Sequence, residues 1–146
     1  MLKDCKIHHI GYAVKSIERT AAIYTANGWS QSEVVFDPVQ QTNITFLTKE
    51  GCQKIELVEG AQSVDNEHVR NAMGGGKKQI DNILSKVGVS PYHVCYETKD
   101  IETTIAELRK QRFLMLFKPV EAVAMDNKRI CYLMHPEIGL IELVEQ

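Results

Sequence analysis

The chain contains one pattern twice, and any fold it adopts has to satisfy both copies. Residues 7–29 read IHHIGYAVKSIERTAAIYTANGW and residues 91–113 read PYHVCYETKDIETTIAELRKQRF. Setting His9 on His93 pairs Ile10 with Val94, Ile17 with Ile101, Glu18 with Glu102, Ala22 with Ala106 and Trp29 with Phe113. Each copy closes on the same strand, KIELVE at 54–59 and LIELVE at 140–145. His9 precedes Glu56 by 47 positions, and His93 precedes Glu142 by 49. A duplicated unit that presents His and Glu at matched places points to a metal site built by pseudo-symmetry.

Local pattern assigns the elements. Residues 6–14 (KIHHIGYAV) predict a strand rich in β-branched and aromatic residues. A helix follows from Ile17, with Ala21, Ala22, Ile23 and Tyr24 as its apolar or small positions, and Asn27-Gly28 ends it. Strands are expected at 30–36, 42–48 and 53–59, separated by turn-forming DPVQQ and KEG. The second copy repeats this order: a strand at 92–98, a helix at 101–111 with Asp100 as N-cap, and strands at 113–118, 127–134 and 139–145. At 146 residues the chain is one domain by size. It is made of module 1 (about 6–60), a linker (61–90) and module 2 (about 91–146). The linker holds Gly74-Gly75-Gly76, read as a flexible joint, and an amphipathic IDNILSKV. GGGKK lacks P-loop spacing and the Ser/Thr that would follow the lysine, so it is not read as a phosphate cradle.

Strand parity places the candidate ligands, because successive side chains point to opposite faces. Ile10, Tyr12 and Val14 share one face and His9, Gly11 and Ala13 the other, where small neighbours should leave open space beside His9. Ile55 and Leu57 oppose Glu56. In the second copy Val94 and Tyr96 oppose His93, Cys95 and Glu97, and Ile141 and Leu143 oppose Glu142. The bulky sets should pack on the helices, leaving His9, Glu56, His93 and Glu142 on the other side. If the sheets curl toward each other, these four share one concavity. Two imidazoles and two carboxylates form a nitrogen/oxygen donor set suited to Zn²⁺, Co²⁺, Ni²⁺, Mn²⁺ or Fe²⁺. His8 has the opposite parity and is read as structural; His68 and His135 fall outside the repeat, in linker and turn.

A net charge of −2 gives no electrostatic reason to expect nucleic acid or an anionic membrane as partner. No apolar run approaches the roughly 18 residues of a spanning helix. The N-terminal MLKDCKIHH lacks an apolar signal region, which makes the cytoplasm the expected location. Cys5, Cys52, Cys95 and Cys131 show no CxxC spacing and read as reduced, mostly buried thiols.

These residues resemble the vicinal oxygen chelate superfamily, which includes glyoxalase I and methylmalonyl-CoA epimerase. HHIGYAV resembles its first-strand motif, KIELVE and LIELVE its carboxylate strands, and PYHVCYE with DIETTIAELRKQRF the start of its second module. ICYLMHPEIGLIELVE is similar to the closing segment of epimerase-type members. The resemblance implies an α+β fold of two tandem βαβββ modules forming an open, metal-centred barrel, usually in a homodimer. It implies a divalent metal held by His9, Glu56, His93 and Glu142. It also implies an isomerase or epimerase that takes a proton from beside a carbonyl of a small carbonyl compound or thioester. An acyl-CoA is the implied substrate, with the enolate stabilised by the metal. Glu142 is the first candidate for the proton-transferring carboxylate and Glu56 the second. The chain departs from the epimerase pattern in two places. Val39 aligns where those enzymes carry a loop glutamate, for which Glu97 is a speculative replacement, and Glu56 stands where they carry Gln. Glu56 keeps a glyoxalase-type lyase acting on thiol adducts as the alternative. A non-enzymatic small-molecule binder is the third reading, and the ring-cleaving dioxygenases rank last because a fourth protein ligand would crowd out oxygen.

Overall fold

A computed structural model of the chain describes residues 2–61 and 76–146. The first copy of the repeat forms β1 (Lys6–Val14), α1 (Ile17–Ala26), β2 (Ser30–Gln31), β3 (Val35–Asp37), β4 (Thr42–Thr48) and β5 (Ile55–Gly60). A helix α2 (Gly76–Lys86) precedes the second copy. That copy forms β6 (Ser90–Thr98), α3 (Ile101–Lys110), β7 (Leu114–Met115), β8 (Val120–Ala122), β9 (Lys128–His135) and β10 (Gly139–Glu145). The chain is α+β, with three helices and ten strands among the described residues. The strand order is open rather than closed, as the resemblance implied. Two compact units result, Gly11–Tyr92 and Met1–Ile10 with His93–Gln146, and the divisions fall inside β1 and β6.

In the unit Gly11–Tyr92 the strands run β2-β4-β5-β1, with β3 also paired to β4. In the other unit they run β7-β9-β10-β6, with β8 paired to β9. The two orders match strand for strand. Each unit also has its own core, as the parity predicted. Val14, Ile17, Ala21, Leu47 and Leu57 cluster in one, with Tyr12, Tyr24, Trp29 and Ile55 packed against them. Ile101, Ile105, Leu108, Phe113, Leu133, Ile141 and Leu143 cluster in the other, with Tyr96 against them. The helix stripe in the first copy is narrower than the sequence suggested: Ile17, Ala21 and Tyr24 face inward, while Ile23 is 67% exposed.

Both helices begin and end by the same devices. Ser16 Oγ accepts from the Arg19 N–H, and Asp100 Oδ1 accepts from the Thr103 N–H, satisfying donors that the first turn leaves open. The closing glutamate of each IELVE strand adds a second acceptor. Glu59 Oε1 takes the Ile17 N–H and Glu145 Oε1 the Ile101 N–H, each at 3.3 Å. At the other end, Trp29 N–H reaches back to Tyr24 O and Phe113 N–H to Leu108 O. Gly28 N–H bonds Thr25 O and Arg112 N–H bonds Arg109 O, completing two Schellman motifs. The motif needs a left-handed residue, which Gly28 supplies at φ 87° and Arg112 at φ 68°.

Three expected elements come out differently. The strand expected at 30–36 is split into β2 and β3, because the pairing to β4 gains one residue between Gln31↔Leu47 and Val35↔Ile44. Ser32 serves that bulge: its Oγ accepts the Phe46 N–H at 2.9 Å, and its carbonyl accepts the Thr45 hydroxyl at 2.8 Å. The strand expected at 113–118 is cut to β7, and a further strand, β8, follows Pro119, which has no N–H for a ladder. Gly76–Lys86, within the stretch read as linker, is the helix α2, whose Ile80 is buried while the Lys77 N–H bonds Gln40 O. Gly60 lets this helix come close, since a Cβ there would lie 3.3 Å from Lys77 Cγ. Gly74 and Gly75 of the expected joint, and His68, lie outside the described residues.

The cysteines, none of them in a disulfide, divide by exposure: Cys95 and Cys131 are buried, Cys5 is half-buried and Cys52 is exposed. Burial, with the charges of Glu102 and Glu142, pushes the Cys131 thiol up to about 12. With a disulfide reagent at pH 8, Cys52 is expected to react first and Cys5 more slowly. Cys95 and Cys131 should react only once denaturant is added; prompt reaction of all four in the native protein would refute this burial pattern. Leu57 and Leu143, repeat-equivalent and both 0% exposed, set the expected cost of core truncation. Leu57→Ala and Leu143→Ala should each lose about 2–5 kcal/mol in urea unfolding. A cost near zero at either position would mean that its cluster is not a core.

Candidate metal centre

Three of the four sequence-predicted ligands meet within the unit that holds β10. β1 delivers His9, β6 delivers His93 and β10 delivers Glu142, each buried. Alternation accounts for the delivery. Ile141 and Leu143 point into the α3 core, so Glu142 between them must face the other way, beside its register partner Cys95 on β6. The same parity turns Tyr96 to the core and His93 away from it. His9 Nε2 lies 3.0 Å from His93 Nε2, and Glu142 Oε2 lies 3.2 Å from His9 Nε2 and 3.0 Å from His93 Nε2.

Gly11 and Ala13, which share the parity of His9 on β1, are buried. Glu56 belongs to the other unit. It sits on β5 opposite Phe46 of β4 and is 3% exposed, with Leu57 beside it in the α1 core. Glu97 is half-buried and in register with Val144. Val39, in the turn after β3, is held by its N–H to Asp37 Oδ1. His135 stands at the β9–β10 turn, where the Glu137 N–H bonds its Nδ1 and Phe113 packs on its ring.

Two neighbours of the ligands escaped the sequence reading. His8 was read as structural from its parity, yet its Nδ1 lies 2.8 Å from Nδ1 of His9, with the two rings near perpendicular. Tyr132 is the register partner of Glu142 on β9, and its ring meets the His93 ring edge-on at 5.4 Å. The doublet His8-His9 was visible in the sequence. Nothing local marked Tyr132, because its place depends on the β9–β10 register.

Three donor atoms forming a nearly equilateral triangle suit a cation. An ion with bonds of about 2.1 Å at right angles holds its donors about 3.0 Å apart, which is one face of an octahedron. The measured edges are 3.0, 3.0 and 3.2 Å. The charge is also matched: burial would by itself push the Glu142 carboxyl up, but the imidazoles of His9 and His93 beside it hold it well below the usual carboxylate range. An ionised carboxylate buried against two imidazole nitrogens is a donor set that can hold a metal ion.

The family follows from the same chain. Residues 8–132 match the model of the Glyoxalase/Bleomycin resistance protein/Dioxygenase superfamily, and the protein belongs to it. Among curated proteins, no match is found. Solved structures share the fold. A hypothetical protein from Bacillus halodurans is 26% identical with a TM-score of 0.76, covering 98% of this chain and 95% of its own. Methylmalonyl-CoA epimerase from Mycobacterium tuberculosis is 22% identical with a TM-score of 0.74, covering 95% of this chain and 86% of its own. Streptomyces coelicolor methylmalonyl-CoA epimerase in complex with 2-nitronate-propionyl-CoA is 23% identical with a TM-score of 0.72, covering 97% and 96%. No helix among the described residues is long and apolar enough to cross a membrane.

Removing one corner of the triangle should remove the ion. After reconstitution with Co²⁺, Ni²⁺, Zn²⁺ or Mn²⁺, elemental analysis is expected to find about one ion per chain. His93→Ala and His9→Ala should lose it. Full metal content in either folded variant would move the site elsewhere.

Proposed function

We propose that the protein is a metal-dependent isomerase or epimerase that removes and returns a proton on the carbon beside a carbonyl. The proposed substrate is a small acyl thioester such as an acyl-CoA. The observation that carries this reading is the buried triangle of His9, His93 and Glu142, with edges that fit one divalent ion. Glu56 is assigned as the fourth ligand because it stands at the repeat position of Glu142 and is buried like it. Zn, Co, Ni, Mn and Fe all suit this donor set. Support for the substrate class comes from fold relatives that are methylmalonyl-CoA epimerases, one of them in complex with methylmalonyl-CoA. The reading carries a cytoplasmic homodimer with neither nucleic acid nor membrane as partner.

The bound cation supplies Lewis-acid stabilisation of negative charge at the carbonyl oxygen when the neighbouring carbon loses its proton. The chain's own residues do the rest. His9 and His93 offer neutral nitrogen donors that β1 and β6 hold on buried faces. Their burial excludes bulk water, which would otherwise weaken every interaction in the site. Glu142 is the proposed proton carrier, since a base must come within about 3 Å of the proton it takes and this carboxylate is already among the donors. Glu56 is the second choice for that role. Val39 offers no proton-transferring group at the place where epimerases carry a loop glutamate.

A second reading, a lyase of the lactoylglutathione type acting on hemithioacetals, is favoured by the carboxylate of Glu56 in place of Gln. Both readings are separable by substrate. The metal-loaded protein in D₂O should wash deuterium into the α-position of methylmalonyl-CoA, followed by mass spectrometry, and Glu142→Gln should lower that exchange by about 100-fold or more. Turnover of a glutathione hemithioacetal without thioester exchange would instead establish the lyase. If the loaded protein does neither, both enzyme readings fail and a small-molecule binding role takes their place.

A further inference from the structure

We infer that His8 is a positioning residue for His9: its Nδ1 accepts the Nδ1 proton of His9 and so leaves the Nε2 lone pair of His9 facing His93 and Glu142. The inference rests on the metal-site reading above, and it concerns a residue that strand parity had set aside. The contact between the two Nδ1 atoms is 2.8 Å, a hydrogen-bond distance, across rings 78° apart. A neutral imidazole has one N–H and one lone pair, so one ring must donate and the other accept. Each choice fixes what the far nitrogen of His9 offers.

If His8 donated, His9 would carry its hydrogen on Nε2. That nitrogen, 3.2 Å from Glu142 Oε2, would then have no lone pair for an ion. If His8 accepts, His9 Nε2 is a lone pair that faces His93 Nε2, 3.0 Å away, and takes the hydrogen that nitrogen carries, since hydrogens on both facing nitrogens would collide. Only this choice leaves His9 a lone pair on the side of Glu142, which the metal-site reading requires. A ligating histidine whose other nitrogen donates to a fixed acceptor is held in both tautomer and ring orientation. Here the acceptor is the preceding residue of the same strand, so every motion of β1 carries ligand and support together.

Nitrogen chemical shifts of the imidazoles in metal-free protein, and Co²⁺ competition titration, test this with His8→Phe and His8→Asn. Phe keeps a ring of similar size without an acceptor; Asn keeps an acceptor oxygen near the place of Nδ1. His9 is expected to show the Nδ1–H tautomer in the wild type and in His8→Asn, and to lose it in His8→Phe. Co²⁺ affinity should fall about 10- to 100-fold in His8→Phe and stay close to wild type in His8→Asn. An Nε2–H tautomer of His9 in the wild type, or His8→Phe matching the wild type in both tautomer and affinity, would overturn the inference. A wild type with the Nδ1–H tautomer but no Co²⁺ uptake would uphold the role of His8 and defeat the metal reading instead.

Discussion

Two imidazole nitrogens and a carboxylate oxygen brought within 3.2 Å of one another repel unless a proton or a cation lies among them. The unit that holds β10 is organised around keeping that crowding in place. His9, His93 and Glu142 come from three different strands, and each is anchored by neighbours of opposite parity or by a ring packed on its own. Because all three are buried, water cannot screen the arrangement or replace a missing partner. A hydrogen between the facing nitrogens of His9 and His93 relieves part of that repulsion, and a divalent ion held by the three donors would relieve it too.

One short strand links that chemistry to stability. Along β10, Ile141 and Leu143 fill the α3 core, Glu142 faces the site, and Glu145 caps α3 through the Ile101 N–H. Glu145 is itself held by Arg129, which makes two hydrogen bonds to its carboxylate at 2.9 and 3.0 Å and reaches Glu102 with a third nitrogen. The position of Glu142 is therefore fixed from three sides at once, by packing, by a helix start and by an ion pair. In the first copy Leu57, Glu56 and Glu59 occupy the corresponding places, and Asn43 stands where Arg129 stands, bonding Glu59 Oε2 at 3.3 Å. A weaker neutral donor in one half and a bidentate guanidinium in the other is where the repeat has diverged.

Most of the fold was legible in the residues. β1 and β10 fall at the expected residues, and the helices end within one or two residues of expectation, because period-2 alternation, caps and Schellman endings are local signals. Two of the failures share one cause: the break after Gln31 and the helix at Gly76–Lys86 depend on what a distant segment presents. Ser32 forms a bulge only because Thr45 and Phe46 lie across from it, and α2 settles only where Gly60 leaves room.

From the residues alone came the repeat, the alternation that sets His9, His93 and Glu142 apart from the core faces, and the choice of nitrogen and oxygen donors. Those are properties of a strand's period and of side-chain chemistry, which need no partner to be read. Tertiary structure alone decided the distances. His9 and His93 are 84 positions apart, and their nitrogens meet at 3.0 Å only through the strands that carry them. It also decided that Tyr132 packs on His93 and that His8 bonds His9. Register and ring orientation are set by pairing and packing between segments far apart in the chain, and no local pattern encodes them.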